Sequence, residues 1–185
     1  IFWSTIGGVG LSGIILSAKF KLKNIETAYI RQESIKAENL DEIFKLFEES
    51  EFWTYNVAWI DCLQTGKNIG RSIMMRGEHA FKHQLPKKLQ ENPLRLKKKF
   101  SPTVPFYFPN FVLNNLTVKL FNLLYFNKQR SKEIKNYIDY ETFFYPLDAV
   151  NDWNKIYGKT GFIQYQMVIP KEKGKEGMKR ILETI

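Results

Sequence analysis

Apolar positions recur along this chain with two periods, and the two periods mark different elements. Between Asn39 and Ser50, Leu40, Ile43, Phe44 and Phe47 follow the i, i+3, i+4, i+7 spacing of a helix with one buried face. Asn39 followed by Glu42 resembles a capping box at its start. Val112 to Phe126 repeats the helical period. Leu113, Leu116, Leu120, Leu123 and Leu124 fall on one face, and Asn114, Asn115, Lys119 and Asn122 on the other. The leucine face predicts a helix that packs on the core or lies near a membrane surface, while the interrupting polar residues exclude a spanning segment. Met178, Ile181, Leu182 and Ile185 start a terminal helix.

Period two governs most of the remainder. Tyr55 to Cys62 predicts a strand with Val57, Trp59 and Asp61 on one face and Asn56, Ala58, Ile60 and Cys62 on the other. The Gly66–Gly70 turn and a second strand over Arg71–Glu78 complete a predicted hairpin. Tyr137–Tyr145 is aromatic and strand-like, and Pro146-Leu147-Asp148 closes it. Gly8-Val9-Gly10-Leu11-Ser12-Gly13 matches the dinucleotide fingerprint G-x-G-x-x-G. However, Ile14, Leu16, Ala18, Phe20 and Leu22 then alternate with polar residues. That predicts a strand where the fingerprint needs a helix, so a glycine loop leading into a strand is expected instead. Between His79 and Pro109 no period holds. Lys82, His83, Lys87, Lys88, Arg95, Lys97, Lys98 and Lys99 precede Phe106-Tyr107-Phe108 there, and a long basic and aromatic surface loop is expected.

The segment with the most specific chemistry is Phe162–Ile169, aromatic and β-branched and closed by Pro170. Read as a strand, it places Gln164 and Gln166 on one side, their amides about 7 Å apart at roughly 3.3 Å per residue. Two same-face amides on an apolar ribbon either bond to neighbouring backbone or point into a cavity and hold a polar ligand. An unpaired buried amide costs about 1–3 kcal/mol, so one of the two must hold.

With 44% hydrophobic and 15% aromatic residues among 185, the chain can bury a core, which excludes wholesale disorder. The single cysteine, Cys62, excludes an internal disulfide framework and a cysteine-based zinc site. His79 and His83 stand at i, i+4 but near Pro86 and without an acidic third ligand, so no metal site is expected. No Ser/His/Asp set or P-loop occurs, and no catalytic acid, base or nucleophile is identified. If the protein is an enzyme, a cofactor carries the chemistry. The net charge of +9 favours an anionic partner: phosphate, nucleic acid or an acidic membrane surface. The chain opens on Ile1 without a methionine and stops at Ile185 inside a helical pattern, so a piece of a longer protein is expected.

Three segments together resemble the FAD-linked oxidases of the vanillyl-alcohol oxidase superfamily, nearest to the decaprenylphosphoryl-β-D-ribose oxidase branch, with the sugar-lactone oxidases more distant. They are Phe2-Trp3 through Gly7–Ile15, Tyr55–Asp61, and Phe144–Asp148 through Trp153-Asn154, Tyr157-Gly158 and Gly161–Gln166. The resemblance implies an α+β fold. Residues 1–24 would be the tail of the FAD-binding domain, and 25–185 a partial substrate (cap) domain, an antiparallel sheet with flanking helices, with 80–109 its surface loop. It implies that Gly10, Gly13 and Ile15 lie along the flavin, and that Trp59, Phe144, Tyr145, Gln164 and Gln166 line the substrate pocket. Where the family has tyrosine followed by histidine, this chain has Phe144-Tyr145, which moves or removes a pocket hydroxyl. The N-terminal half of the flavin domain, and a C-terminal segment with a pocket lysine and cysteine, are not among these residues. The piece alone is thus expected to bind FAD weakly or not at all.

The activity implied is oxidation of a sugar hydroxyl, on a polyprenyl-phosphate-linked pentose, by hydride transfer to flavin, with peripheral membrane contact through the basic loop. The protein would then be cytoplasmic or at the membrane surface, not transmembrane. An aldonolactone oxidase of the same fold is the enzymatic alternative. A basic nucleic-acid-binding module without catalysis is the other, though it leaves the glutamine pair and the glycine loop unexplained, and no nucleic-acid partner is expected.

Overall fold

The computed structural model describes residues 1–96 and 99–185; Lys97 and Lys98 of the basic run lie outside them. In chain order the elements are helix α1 (Phe2–Ile6), strand β1 (Tyr29–Ala37), helix α2 (Leu40–Glu49), strands β2 (Tyr55–Ile60) and β3 (Ser72–His79), and helices α3 (Lys87–Gln90) and α4 (Asn115–Lys128). Strand β4 (Glu133–Asp139) and helices α5 (Tyr140–Phe144) and α6 (Gly174–Thr184) follow. The strands form one antiparallel sheet in the order β2-β3-β1-β4. The expected α+β class, an antiparallel sheet with flanking helices, is therefore what the chain adopts.

The β2–β3 hairpin forms as its alternation predicts, with Tyr55 opposite Gly77 and Trp59 opposite Ile73. Helix α2 starts where expected: the Asn39 side chain accepts the Glu42 N–H at 3.0 Å, while the Glu42 carboxylate reaches back to the N–H of Glu38 rather than of Asn39. Leu40 and Ile43 of α2, Ala37, Met74 and Leu182 of α6 form the core against one sheet face. Each of the larger ones, Leu40, Ile43, Met74 and Leu182, contributes about 1.5–3 kcal/mol by leaving water. Gly70 turns the chain beside this core at φ +77°, where an added Cβ would lie 2.8 Å from the Leu40 side chain. Only glycine serves there.

Several expectations are not met. The segments 14–23 and 162–169 have strand composition but form no ladder; both run exposed, because neither sheet edge, β2 or β4, takes them as a neighbour. Phe162 is held by Trp153 and Tyr157, with ring centroids at 5.5 and 4.4 Å, and Ile169 lies against Gly177 of α6. Between these anchors residues 163–168 are exposed. The predicted strand over 137–145 is shifted: β4 ends at Asp139, whose carboxylate accepts the Thr142 N–H at 3.0 Å and so caps α5. The aperiodic stretch 79–109 is not wholly loop. It holds α3 and a single turn over Lys82–Gln84, and it buries Leu85 and Val104.

Of the two placements expected for the leucine face of helix α4, packing on the core is not the one found. Its buried residues are Asn122 and Phe126, and the leucine face looks outward. Polar pairing decides the outcome. Asn122 donates to the buried Asp61 at 2.6 Å, and Gln129, just past the helix, accepts from the Ser34 hydroxyl at 2.7 Å.

Candidate functional site

In an antiparallel ladder directly opposed residues share a face. Tyr55, Val57 and Trp59 therefore lie on the same side of the sheet as Ile73, Met75, Gly77 and His79 of β3 and Ile30, Gln32, Ser34 and Lys36 of β1. Two helices stand on this face, one at each end. Trp59 packs on Tyr125 of α4 with ring centroids 4.7 Å apart, and Phe121 lies 5.9 Å beyond. At the other end Tyr55 meets Phe144 of α5 edge-on at 4.9 Å, and Phe143 at 6.1 Å. Gly77 makes room for that helix, since a Cβ there would fall 3.0 Å from the Phe143 ring. The two aromatic walls are four strand residues apart, about 13 Å at roughly 3.3 Å per residue. Between them the floor is Val57 and Met75, both partly open to solvent. The result is an apolar stretch of sheet face with an aromatic wall at each end, a shallow trough.

Polar groups gather at the Tyr55 end. Lys23 donates to the Tyr55 hydroxyl at 3.3 Å and lies over its ring at 4.9 Å, which ties the segment after the glycine loop to the sheet. The His79 ring stands 5.6 Å from that of Tyr55, and its Nδ1 is buried with no hydrogen-bond partner among the described residues. Burial pushes the His79 imidazole below its ordinary value of 6.5, the nearby Lys23 cation pushes the same way, and Glu78 opposes them. On the opposite face Glu33 is also depressed. Burial alone would raise it, but the Arg76 guanidinium, 2.6 Å away, and Lys135, 3.1 Å away, outweigh that.

Both shifts have the same sign in stability. Each group binds protons more weakly folded than unfolded, so each contributes stability at higher pH that is lost on acidification. The expected result is a denaturant midpoint that falls first as pH drops below 6.5, the ordinary value for His79, and again below 4.5, the ordinary value for Glu33. His79→Phe should remove the first decline and leave the second. A flat midpoint between pH 7 and 5.5 in the unaltered chain would contradict the His79 assignment.

Of the residues expected from the sequence, Trp59 and Phe144 are brought to one face, at opposite ends of the trough. Tyr145 is not with them. Its ring centroid is 6.4 Å from that of Phe144, and it lines a separate hollow of about 730 Å³ with Lys99, Tyr140 and Asp148. Gln164 and Gln166 are exposed on the unpaired segment and make no hydrogen bond within the described residues, so the expected strand geometry for the two amides does not form. Gly10 and Gly13 have φ of +81° and +139°, and a Cβ on either would meet nothing within 4 Å. Ile15 beside them is exposed. Tyr55, Tyr125, Phe143 and Lys23 join the site without having been expected there from the sequence. Tyr55 could have been found, since it shares the Trp59 face at i−4; the others are assembled only by the fold.

One similarity spans nearly all of the chain. The chain is 37% identical over 179 residues, 95% of its length, to the decaprenylphosphoryl-beta-D-ribose oxidase of Mycolicibacterium smegmatis. Over 95 residues, 51% of its length, it is 33% identical to a Streptomyces coelicolor protein described as "Uncharacterized protein in mprA 5'region". The chain spans 38% of the first relative and 26% of the second. No family model matches it. The resemblance to the decaprenylphosphoryl-ribose oxidases seen in three short segments thus extends along almost the whole sequence.

Proposed function

From this chain's similarity to a decaprenylphosphoryl-β-D-ribose oxidase over 95% of its length, we propose that it is the substrate-facing part of an FAD-dependent oxidoreductase. Its substrate is the sugar hydroxyl of a polyprenyl-phosphate-linked pentose. The observation that carries this reading is the trough: Trp59 and Phe144, both expected pocket residues, stand on one sheet face over a partly open apolar floor.

Residues 1–24 form the tail of the flavin-binding domain on this reading, and 25–185 the larger part of the substrate domain. The open backbone at Gly10 and Gly13 fits close approach by a flat cofactor, with Ile15 against it. A flavin held there would supply the hydride acceptor for oxidation of the sugar hydroxyl. The chain's own residues bind and orient. Trp59 and Phe144 bound the sugar from the two ends of the trough, and Gln164 and Gln166, exposed on a segment outside the sheet, are the amides that would reach its hydroxyls on assembly with the flavin domain. The hydroxyl absent at Phe144 is supplied by Tyr55, whose ring abuts it and whose oxygen already accepts from Lys23, leaving its own proton for the substrate. The basic stretch 82–108 faces the phosphate and lipid of the substrate at a membrane surface.

The test is an assay of the full-length flavin-loaded protein with a polyprenyl-phosphate-linked ribose and with free aldonolactones. Flavin bleaching by the lipid-linked sugar alone is the expected result. Bleaching by the lactone alone would move the assignment to the sugar-lactone oxidases. No bleaching by either would remove the oxidase reading.

A further inference from the structure

Helix α5 is too short to hold itself. It has five residues, and a turn that fixes its backbone for so few hydrogen bonds is unfavourable alone. Yet it carries the aromatic wall at the Tyr55 end of the trough, Phe143 and Phe144. Its first residue is tied to the sheet edge, where the Tyr140 N–H donates to the Ala28 carbonyl at 3.0 Å. One such bond leaves the helix free to pivot about it. The contacts that remove this freedom come from the end of the basic stretch.

The Lys99 ammonium donates to both the Asp139 carboxylate and the Thr142 hydroxyl. These two groups form the cap of α5, in which Asp139 accepts the Thr142 N–H and the Thr142 hydroxyl, each at 3.0 Å. Burial by itself would lift the Asp139 carboxyl above its ordinary 3.8, but the bonds from Lys99 and Thr142 outweigh it and hold it lower. Beyond the helix the same stretch takes hold again. The Asn151 N–H donates to the Pro102 carbonyl at 2.8 Å, and the Asn151 carbonyl accepts the Val104 N–H at 3.0 Å. The Asn151 amide donates to the Ser101 carbonyl at 3.2 Å and to the Thr103 hydroxyl at 3.3 Å. Val104 is buried. Residues 99–104 therefore grip the chain on both flanks of α5, at Asp139 and at Asn151.

We propose that this segment braces the trough, and that Lys99 is a positioning residue: through Asp139 and Thr142 it seats α5 so that Phe144 stands against Tyr55. The use of the trough rests on the oxidase reading, and within that reading the brace changes the role of one cation. The basic stretch as a whole faces the substrate's phosphate, whereas Lys99 is committed to a carboxylate of its own chain. The Asp139 side chain is 14% exposed and that of Lys99 48%. Drawing Lys99 away to a phosphate would leave the more buried partner without its counter-charge and unseat the wall that orients the sugar.

The experiment is hydrogen exchange read by mass spectrometry on the full-length protein, unaltered and with Lys99→Met or Lys99→Arg, beside steady-state kinetics with a polyprenyl-phosphate-linked ribose. Lys99→Met should speed exchange at the amides of residues 140–145 about tenfold and leave those of α2 unchanged. It should raise KM about tenfold with kcat within about twofold, since the wall orients the sugar without touching the reacting atoms. Lys99→Arg keeps a donor for Asp139 and should restore both. The proposal is overturned if exchange at 140–145 does not change in Lys99→Met, or if Lys99→Arg fails to restore it. A raised KM with α5 still protected overturns it as well, and assigns Lys99 to the phosphate. Faster exchange with unchanged KM overturns the positioning role and leaves Lys99 a purely structural contact. Should the unaltered protein turn over no lipid-linked sugar, the oxidase reading fails, while the exchange arm still decides whether Lys99 seats α5.

Discussion

Replacing Asp61 with alanine is expected to destabilise the fold by about 3–5 kcal/mol, the cost of removing one partner from a buried ion pair. Asp61 has no exposed surface, and four donors converge on its carboxylate. Arg71 and Asn122 each donate at 2.6 Å, Gln64 at 3.1 Å and the Leu63 N–H at 3.2 Å. With the carboxylate gone, the Arg71 guanidinium stays buried over the Phe126 ring, its Nε already without a partner among the described residues. A loss of that size is a large share of the 5–15 kcal/mol that holds a typical domain together. Urea unfolding measures it, through a lower midpoint at unchanged slope. Arg71→Met added to Asp61→Ala should recover part of the loss, because the stranded charge is then removed as well. A shift below about 1 kcal/mol in the single variant would mean that the pair is inert. The same carboxylate fixes Asn122, and so sets where α4 carries Tyr125 against Trp59.

The second large effect concerns the trough. In the full-length flavin-loaded protein, Trp59→Ala should lower kcat/KM for the lipid-linked sugar by about 10²-fold, the scale of a misplaced substrate. Trp59→Phe, which keeps a ring against Tyr125, should retain most of the activity. Melting temperature separates the two explanations of a loss, since a merely structural Trp59 would lower stability and activity together. Wild-type kcat/KM in Trp59→Ala at full flavin occupancy would remove Trp59 from the site.

The elements that could be read in advance were those whose apolar spacing matched their burial. Helix α2 and the β2–β3 hairpin formed over nearly the expected residues. Strand β1 was invisible to that reasoning although it is central to the sheet. Its sequence, Tyr-Ile-Arg-Gln-Glu-Ser-Ile-Lys-Ala, has no apolar face, because Glu33 is neutralised by Arg76 and Lys135, and Ser34 is bonded to Gln129. Helix α4 shows the opposite case, a stripe whose spacing left two placements open. Its leucines gave a strong stripe, but the inward face was chosen by Asn122 and Gln129, whose partners lie 61 and 95 residues away in sequence. The segments 14–23 and 162–169 carried honest strand composition, yet a strand needs a neighbour to supply its hydrogen bonds. Trp59 and Phe144 emerged from sequence resemblance and alternation together. Tyr145 and the glutamine pair did not follow them onto the sheet face.

The polar character of β1 has a consequence for how the sheet zips. Glu33 sits directly opposite Arg76. Sliding β1 by one residue would send the carboxylate to the far side, opposite Met75 or Gly77, and strand two charges without partners. A purely aliphatic strand would tolerate several alignments with similar energy. Here Glu33, held between Arg76 and Lys135, adds an electrostatic penalty to any one-residue slip and so guards the native register from the middle of the sheet outward.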